Sequence, residues 1–163
     1  MTDIELKALP LTSERFAPFG DVIAAPRGQG TTMNAARFDR FHRLAKTDCG
    51  GDAVFSIARA RTATTLPYRF DTVERHPLAS QAFVPLRPFR FIVVVARAGD
   101  GVSAADLSAF VTNGAQGVNY RRGVWHMPLI ALEAGQEFLI VDRPGADNFE
   151  EQVLETSLSL RLE

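Results

Sequence analysis

The sequence predicts a mainly β protein of antiparallel strands, a sandwich or barrel with a few short helices. Three observations predict it. Short stretches rich in β-branched and aromatic residues recur along the chain. Glycine- and asparagine-containing turns separate them: "CGG", "AGDG", "TNGAQG", "EAGQ" and "RPGADN". The apolar runs that would make long helices are missing. With 163 residues and 46% hydrophobic content, the chain suffices for one domain over residues 1–163 with one sizeable core.

Taken in order, "LTSERFAPFG" (11–20) reads as a short helix, with Thr12 or Ser13 as its N-cap and Gly20 as its stop. Residues 25–44 read as loop, a lid over a site or an arm. Strands are expected over 53–60 ("AVFSIARA"), 89–98 ("FRFIVVVARA") and 137–143 ("EFLIVDR"). Between the last two, "SAADLSAF" pairs Ser103 with Asp106 at capping-box spacing and reads as a short crossover helix. The terminal "ETSLSLRLE" alternates, with Leu158, Leu160 and Leu162 on one face.

Composition excludes several classes of partner. The net charge is -1, which argues against a nucleic acid or an anionic membrane as main partner. Of 18 basic residues, only Lys7 and Lys46 are lysines; the arginine excess fits either base composition or a site needing planar forks for carboxylates. Cys49 is the only cysteine and reads as a bystander, since a lone thiol forms no internal disulfide. The N-terminus is acidic and too short in apolar run for a signal peptide. The longest apolar runs fall far short of the roughly 20 residues that span a bilayer. A cytoplasmic protein is the resulting expectation.

Chemistry-bearing residues concentrate in "QGVNYRRGVWHMPL" (116–129) and "TVERHPLASQAFVP" (72–85). In the first, Gly123 marks a turn or bulge. His126 and Pro128 then face one way on a strand, and Met127 and Leu129 the other. Pro128 suggests an edge or an irregular strand. In the second, Glu74 and His76 share a strand face, and Gln81 follows after a loop. Each histidine alone reads equally as a structural group. Together, the two stretches resemble the paired motifs of cupin (RmlC-like) barrels. Here Glu74, His76 and Gln81 would stand in the first motif and His126, after Gly123, in the second. The chain departs from the usual pattern at Glu74 and Gln81. The set His76, His126, Glu74 and Gln81 could hold a divalent metal of the nickel or zinc type.

A more specific resemblance follows from "FGDVI" (19–23), "ERHPLASQAFVPL" (74–86), "FVTNGAQGVNYRRGVWHMPL" (110–129) and "DRPGADN" (142–148). In that order, these phrases resemble the ureidoglycolate lyases of allantoin and purine breakdown. The resemblance implies a homodimeric cupin-like barrel that cleaves ureidoglycolate to glyoxylate and urea with no organic cofactor. It implies proton transfer by His126, His76 and Glu74. Arg121 or Arg122 would clamp the substrate carboxylate, and Asn113, Asn119, Tyr120 or Gln81 would hold the ureido group. Arg75 and Arg143 are further cations whose blander fate is an exposed ion pair, and Trp125 reads as packing. Three alternatives remain: a metal-dependent cupin enzyme acting on another small hydroxy or ureido acid, a non-catalytic cupin that binds a small carboxylate, and a barrel whose polar cluster merely satisfies buried strand ends.

Overall fold

A computed structural model describes residues 3–163. Fourteen strands follow one another along the chain: β1 (Ile4–Pro10), β2 (Gly20–Ile23), β3 (Thr31–Met33), β4 (Phe38–Arg40), β5 (Val54–Arg59), β6 (Tyr68–Arg75), β7 (Gln81–Pro85), β8 (Phe91–Ala96), β9 (Ser108–Val111), β10 (Gly117–Tyr120), β11 (Trp125–His126), β12 (Ile130–Ala131), β13 (Glu137–Asp142) and β14 (Glu150–Leu162). Among the described residues, one α-helix, α1 (Ser13–Phe16), and two short 3-10 turns complete the set.

The principal sheet runs β11-β6-β14-β1-β9-β8-β12, and β11 also pairs with β8. That second pairing closes six strands, β6, β14, β1, β9, β8 and β11, into a ring. The mainly β, cupin-like barrel is therefore present. A five-stranded sheet, β2-β10-β7-β13-β5, lies over one side of it.

The sequence of β8, "FIVVVA", explains how the layers stack. It is buried on both faces, which is why it lacks alternation. Ile92, Val94 and Ala96 join Phe70, Val73, Leu158 and Leu160 inside the ring. Phe91, Val93 and Val95 point the other way and pack with Phe83, Val118, Tyr120 and Phe138 of the second sheet. Two cores thus sit on either side of one strand, and side chains on its second face pack in the layer between the sheets, which opens as a shallow cleft where Glu74 and His76 are partly exposed.

The structure corrects several expectations. The barrel is not wholly antiparallel: β1 runs parallel to both β14 and β9. It is joined to neither by a hairpin, so nothing forces it to reverse. Residues 25–44 contain a hairpin, β3 on β4, rather than loop alone. The Ser103–Asp106 capping box exists but caps a 3-10 turn, and it links two antiparallel neighbours, β8 and β9, so it makes no crossover. Helix α1 has Thr12 as its N-cap, with Oγ1 accepting from the Arg15 N–H.

Candidate functional site

Three side chains converge at one end of the cleft. Glu74 on β6 stands directly opposite His126 on β11. Val73 and Trp125 turn into the ring, so the alternation of each strand sends Glu74 and His126 to the cleft face. His76 lies just past the end of β6, where its backbone carbonyl accepts from the Gly123 N–H at 2.9 Å. Gly123 has φ +77°, and a Cβ there would meet nothing closer than 3.5 Å. The turn requires glycine for its backbone angle, not for space.

Each imidazole is oriented by a carbonyl. His76 Nδ1 lies 2.7 Å from the Asn148 carbonyl oxygen, and His126 Nδ1 lies 3.0 Å from that of Val124. A carbonyl only accepts, so Nδ1 carries the hydrogen in both rings and each Nε2 faces the cleft. His126 is 2% exposed, and its Nε2 stands 3.4 Å from Glu74 Oε1. With Nε2 bare, two acceptors would confront one another. A proton or a cation between them relieves that conflict.

One donor atom from each of Glu74, His76 and His126 lies within 4.8 Å of the others. Zinc-type bonds of about 2.0–2.2 Å place ligand atoms closer together than this upper separation. At tetrahedral angles such bonds set ligand atoms about 3.3–3.6 Å apart, so the widest separation would close by about an ångström around a divalent ion. The donor set, two imidazoles and a carboxylate with both rings backed by carbonyls, fits such an ion.

The second sheet supplies the opposite wall. Tyr120 on β10 stacks at 4.7 Å between ring centroids on His126. Burial, with a smaller contribution from the Glu74 charge, pushes its phenol well above the usual tyrosine range, so it stays a neutral hydroxyl. Gln81 stands beside Tyr120 in register and donates through Nε2 to Asp142 Oδ2 at 2.9 Å. The buried atoms His76 Nε2, Tyr120 Oη and Gln81 Oε1 have no hydrogen-bond partner, and His126 Nε2 meets only Glu74 Oε1, at 3.4 Å. Buried acceptors and a hydroxyl left open so close together call for water, an ion or a ligand between them.

The remaining candidates lie elsewhere. Asn119, next to Tyr120, faces the outer side of its sheet and donates to the Lys46 carbonyl and to Asp21. Arg121 and Arg122 line an outer pocket, and Arg122 pairs with Asp48 at 2.6 Å. Asn113 caps its own turn, accepting from the Ala115 N–H. The structure thus separates Arg121, Arg122, Asn113 and Asn119 from the triad, because strand alternation and turn geometry aim them away. Arg75 pairs with Glu150 and lies over the Trp125 ring. Trp125 itself packs in the ring core. Arg143 reaches Asp147 and the Cys49 carbonyl. Met127 enters the ring core as expected, but Leu129 packs toward the second core. The strand stops at His126 and resumes as β12 after Pro128, which has no N–H for the ladder.

Asn148 is a residue the sequence reading passed over. Its carbonyl orients His76, its Oδ1 accepts from the Leu78 N–H at 2.8 Å, and its Nδ2 donates to the Arg143 carbonyl at 3.2 Å. The run "DRPGADN" carried the only signal, a polar residue closing a Pro-Gly turn.

A family model described as ureidoglycolate lyase matches residues 3–161. A protein of Burkholderia mallei (strain NCTC 10229) named ureidoglycolate lyase is 50% identical over 155 residues, covering 93% of this chain and 90% of its own length. One so named from Pseudomonas syringae pv. tomato (strain ATCC BAA-871 / DC3000) is 46% identical over 142 residues, covering 85% and 83%. Among solved structures, a dTDP sugar isomerase from Desulfovibrio desulfuricans G20 aligns at a TM-score of 0.39 and 16% identity over 85% of this chain and 87% of that one, a likeness too loose to weigh on the fold. Among the described residues, no helix is long and apolar enough to cross a membrane.

Proposed function

The chain belongs to the ureidoglycolate lyase family, and from that premise we propose that it splits ureidoglycolate into glyoxylate and urea within purine nitrogen breakdown. One observation carries the assignment of this chemistry to the cleft. Glu74, His76 and His126 bring their donor atoms within 4.8 Å, facing the partnerless Tyr120 hydroxyl and Gln81 amide oxygen.

The products sum to the substrate, so one proton has only to move. The hydroxyl on the carbon bearing nitrogen loses its proton, the C=O bond forms, and the C–N bond breaks. The departing urea nitrogen takes up a proton. Glu74 suits both transfers, as a carboxylate bonded to His126 and partly open to the cleft. His126 and His76 hold that carboxylate in its charged form and fix its orientation. Gln81 Oε1 accepts from the ureido N–H groups. The Tyr120 hydroxyl, kept neutral by burial, donates to the ureido carbonyl.

A divalent metal, where resident, is held by Glu74, His76 and His126, with Gln81 Oε1 as a further oxygen donor nearby. When bound, it would supply Lewis-acid positive charge for the oxygens of the substrate. That role accords with a cleft toward which neither Arg121 nor Arg122 is aimed.

The protein is also proposed to act as a homodimer in the cytoplasm. Among the described residues, edge strand β5 pairs only with β13 and leaves Phe55 74% and Ile57 62% exposed. An apolar, unpaired edge is what a second copy covers around a two-fold axis.

The testing experiment gives chelator-treated protein ureidoglycolate and quantifies urea, ammonia and glyoxylate together, corrected for spontaneous decay. Equal urea and glyoxylate above background is the expected result. Ammonia as the nitrogen product would overturn the reaction. Recovery of turnover only on adding nickel or zinc would make the triad metal ligands rather than proton carriers. No turnover with or without metal would sink the proposal.

A further inference from the structure

A second polar pocket, of about 550 Å³, lies on the other face of β10. Tyr120 looks into the cleft and Asn119 looks out, so the two sites stand back to back across one strand. The outer face of a sheet is ordinarily wet, yet Asn119 is only 2% exposed. The segment around Lys46 crosses above it, and the Lys46 carbonyl accepts from Asn119 Nδ2 at 3.1 Å; Asp21 Oδ2 shares that donor at 3.3 Å. Both amide hydrogens are thereby engaged, while Oδ1 is buried without any donor. A buried amide oxygen in that condition is costly unless something supplies an N–H or O–H.

The pocket's charges point to the rest of the ligand. Lys46, Arg121 and Arg122 all line it. Arg122 is spent on Asp48 at 2.6 Å, and Asp21 is engaged by Asn119. Among the described residues, Lys46 and Arg121 have no acidic partner within ion-pair distance. Two free cations therefore face a common space, and Asn119, whose Oδ1 is a buried acceptor without a donor, forms part of its wall.

We infer that this pocket is a second ligand site, taking a small carboxylate that also carries an N–H or O–H donor. Arg121 and Lys46 bind the carboxylate, and Asn119 Oδ1 accepts from the donor group. A simple amine satisfies Asn119 but leaves both cations unmatched. A carboxylate lacking a donor satisfies the cations and leaves Asn119 Oδ1 orphaned. Only a molecule with both groups meets every requirement.

The test titrates the full-length protein with oxamate, which has a carboxylate and an amide N–H, and with acetate, which lacks the donor. Amide chemical shifts locate binding and calorimetry measures affinity. The expected result is saturable oxamate shifts at Lys46–Asp48 and Asn119–Arg122, and affinity about tenfold weaker in Arg121→Gln and in Lys46→Gln. Acetate should bind more weakly than oxamate. Both substitutions are at exposed side chains, so folding should survive them. Shifts confined to Glu74–His76 and Gly123–His126 would overturn the inference, as would unchanged affinity in both variants or no saturable shift. Turnover is not read, so the result stands apart from the fate of the cleft assay.

Discussion

Glu74 Oε1 and His126 Nε2 face each other at 3.4 Å across an antiparallel strand pair, while His126 Nδ1 is already committed to the Val124 carbonyl. The pair is matched only when a positive charge sits between the two atoms. Glu74→Gln removes the negative member and keeps the shape. It should lower kcat/KM by about 10²–10⁴-fold, the usual worth of a positioned proton carrier. The fold should persist with a modest loss of thermal stability, because the charge removed is stabilising but keeps one edge toward solvent. Steady-state kinetics with a thermal melt would check this, and near-normal turnover in a folded variant would remove Glu74 from the chemistry.

Asn148 offers a separate handle, because it touches no substrate and acts through His76. Asn148→Ala strips the Leu78 N–H of its acceptor and the Arg143 carbonyl of its donor. Leaving such groups buried costs about 1–3 kcal/mol. His76 bonds the Asn148 backbone carbonyl, which Asn148→Ala retains, so divalent-metal affinity should fall only as far as the unpinned loop carries that carbonyl away from the ring. Asn148→Asp keeps an acceptor for Leu78 and should recover part of the stability. Denaturant unfolding paired with chelator competition would separate the two effects. A stability loss with unchanged metal affinity would leave Asn148 a purely structural residue.

The sequence made His126 and Glu74 legible because each sits on a strand whose alternation shows which face it shares. Leu158 and Leu160 were legible for the same reason, and both are fully buried in the ring. Which of Asn119, Arg121 and Arg122 faces the cleft was not legible, because the family resemblance carries them together as one motif and gives no direction to each side chain. Successive strand residues point to opposite faces, so Asn119 had to leave the cleft if Tyr120 entered it. The side chains of Asn148 and Asp142 were out of reach. Their partners, Leu78 and Gln81, lie more than sixty residues away, and no local period encodes that pairing. Strand β1 was missed because "IELKALP" carries too little β-branched character to stand out, and its place is set by neighbours at the far end of the chain.

Phe55 and Ile57 lie two apart on an edge strand, so both side chains emerge on one face. Neither contributes to either core. Phe55→Asp with Ile57→Lys should leave the fold intact and convert a dimer to monomers. Sedimentation at several concentrations reads the outcome. A wild-type chain that is already monomeric, or a double variant that still dimerises, would place the contact elsewhere or remove it.

The titration of Glu74 gives a prediction with a definite sign. Burial alone pushes this carboxyl up, but the hydrogen bond from His126 and the charges of His126 and His76 together outweigh it, and the group ends below its ordinary 4.5. A carboxyl lowered in the folded state binds fewer protons there than in the unfolded chain. Its stabilising contribution is therefore complete above the unfolded value and disappears as pH falls through the folded one. In metal-free protein, wild type should thus lose stability faster than Glu74→Gln as pH drops below about 4.5, because only wild type has this charge to neutralise. Denaturant midpoints for the two proteins, measured in parallel from about pH 6 to about pH 3, give the test. Parallel curves would mean that the histidines do not hold Glu74 in its charged form, and the pairing at 3.4 Å would then contribute nothing to the folded state.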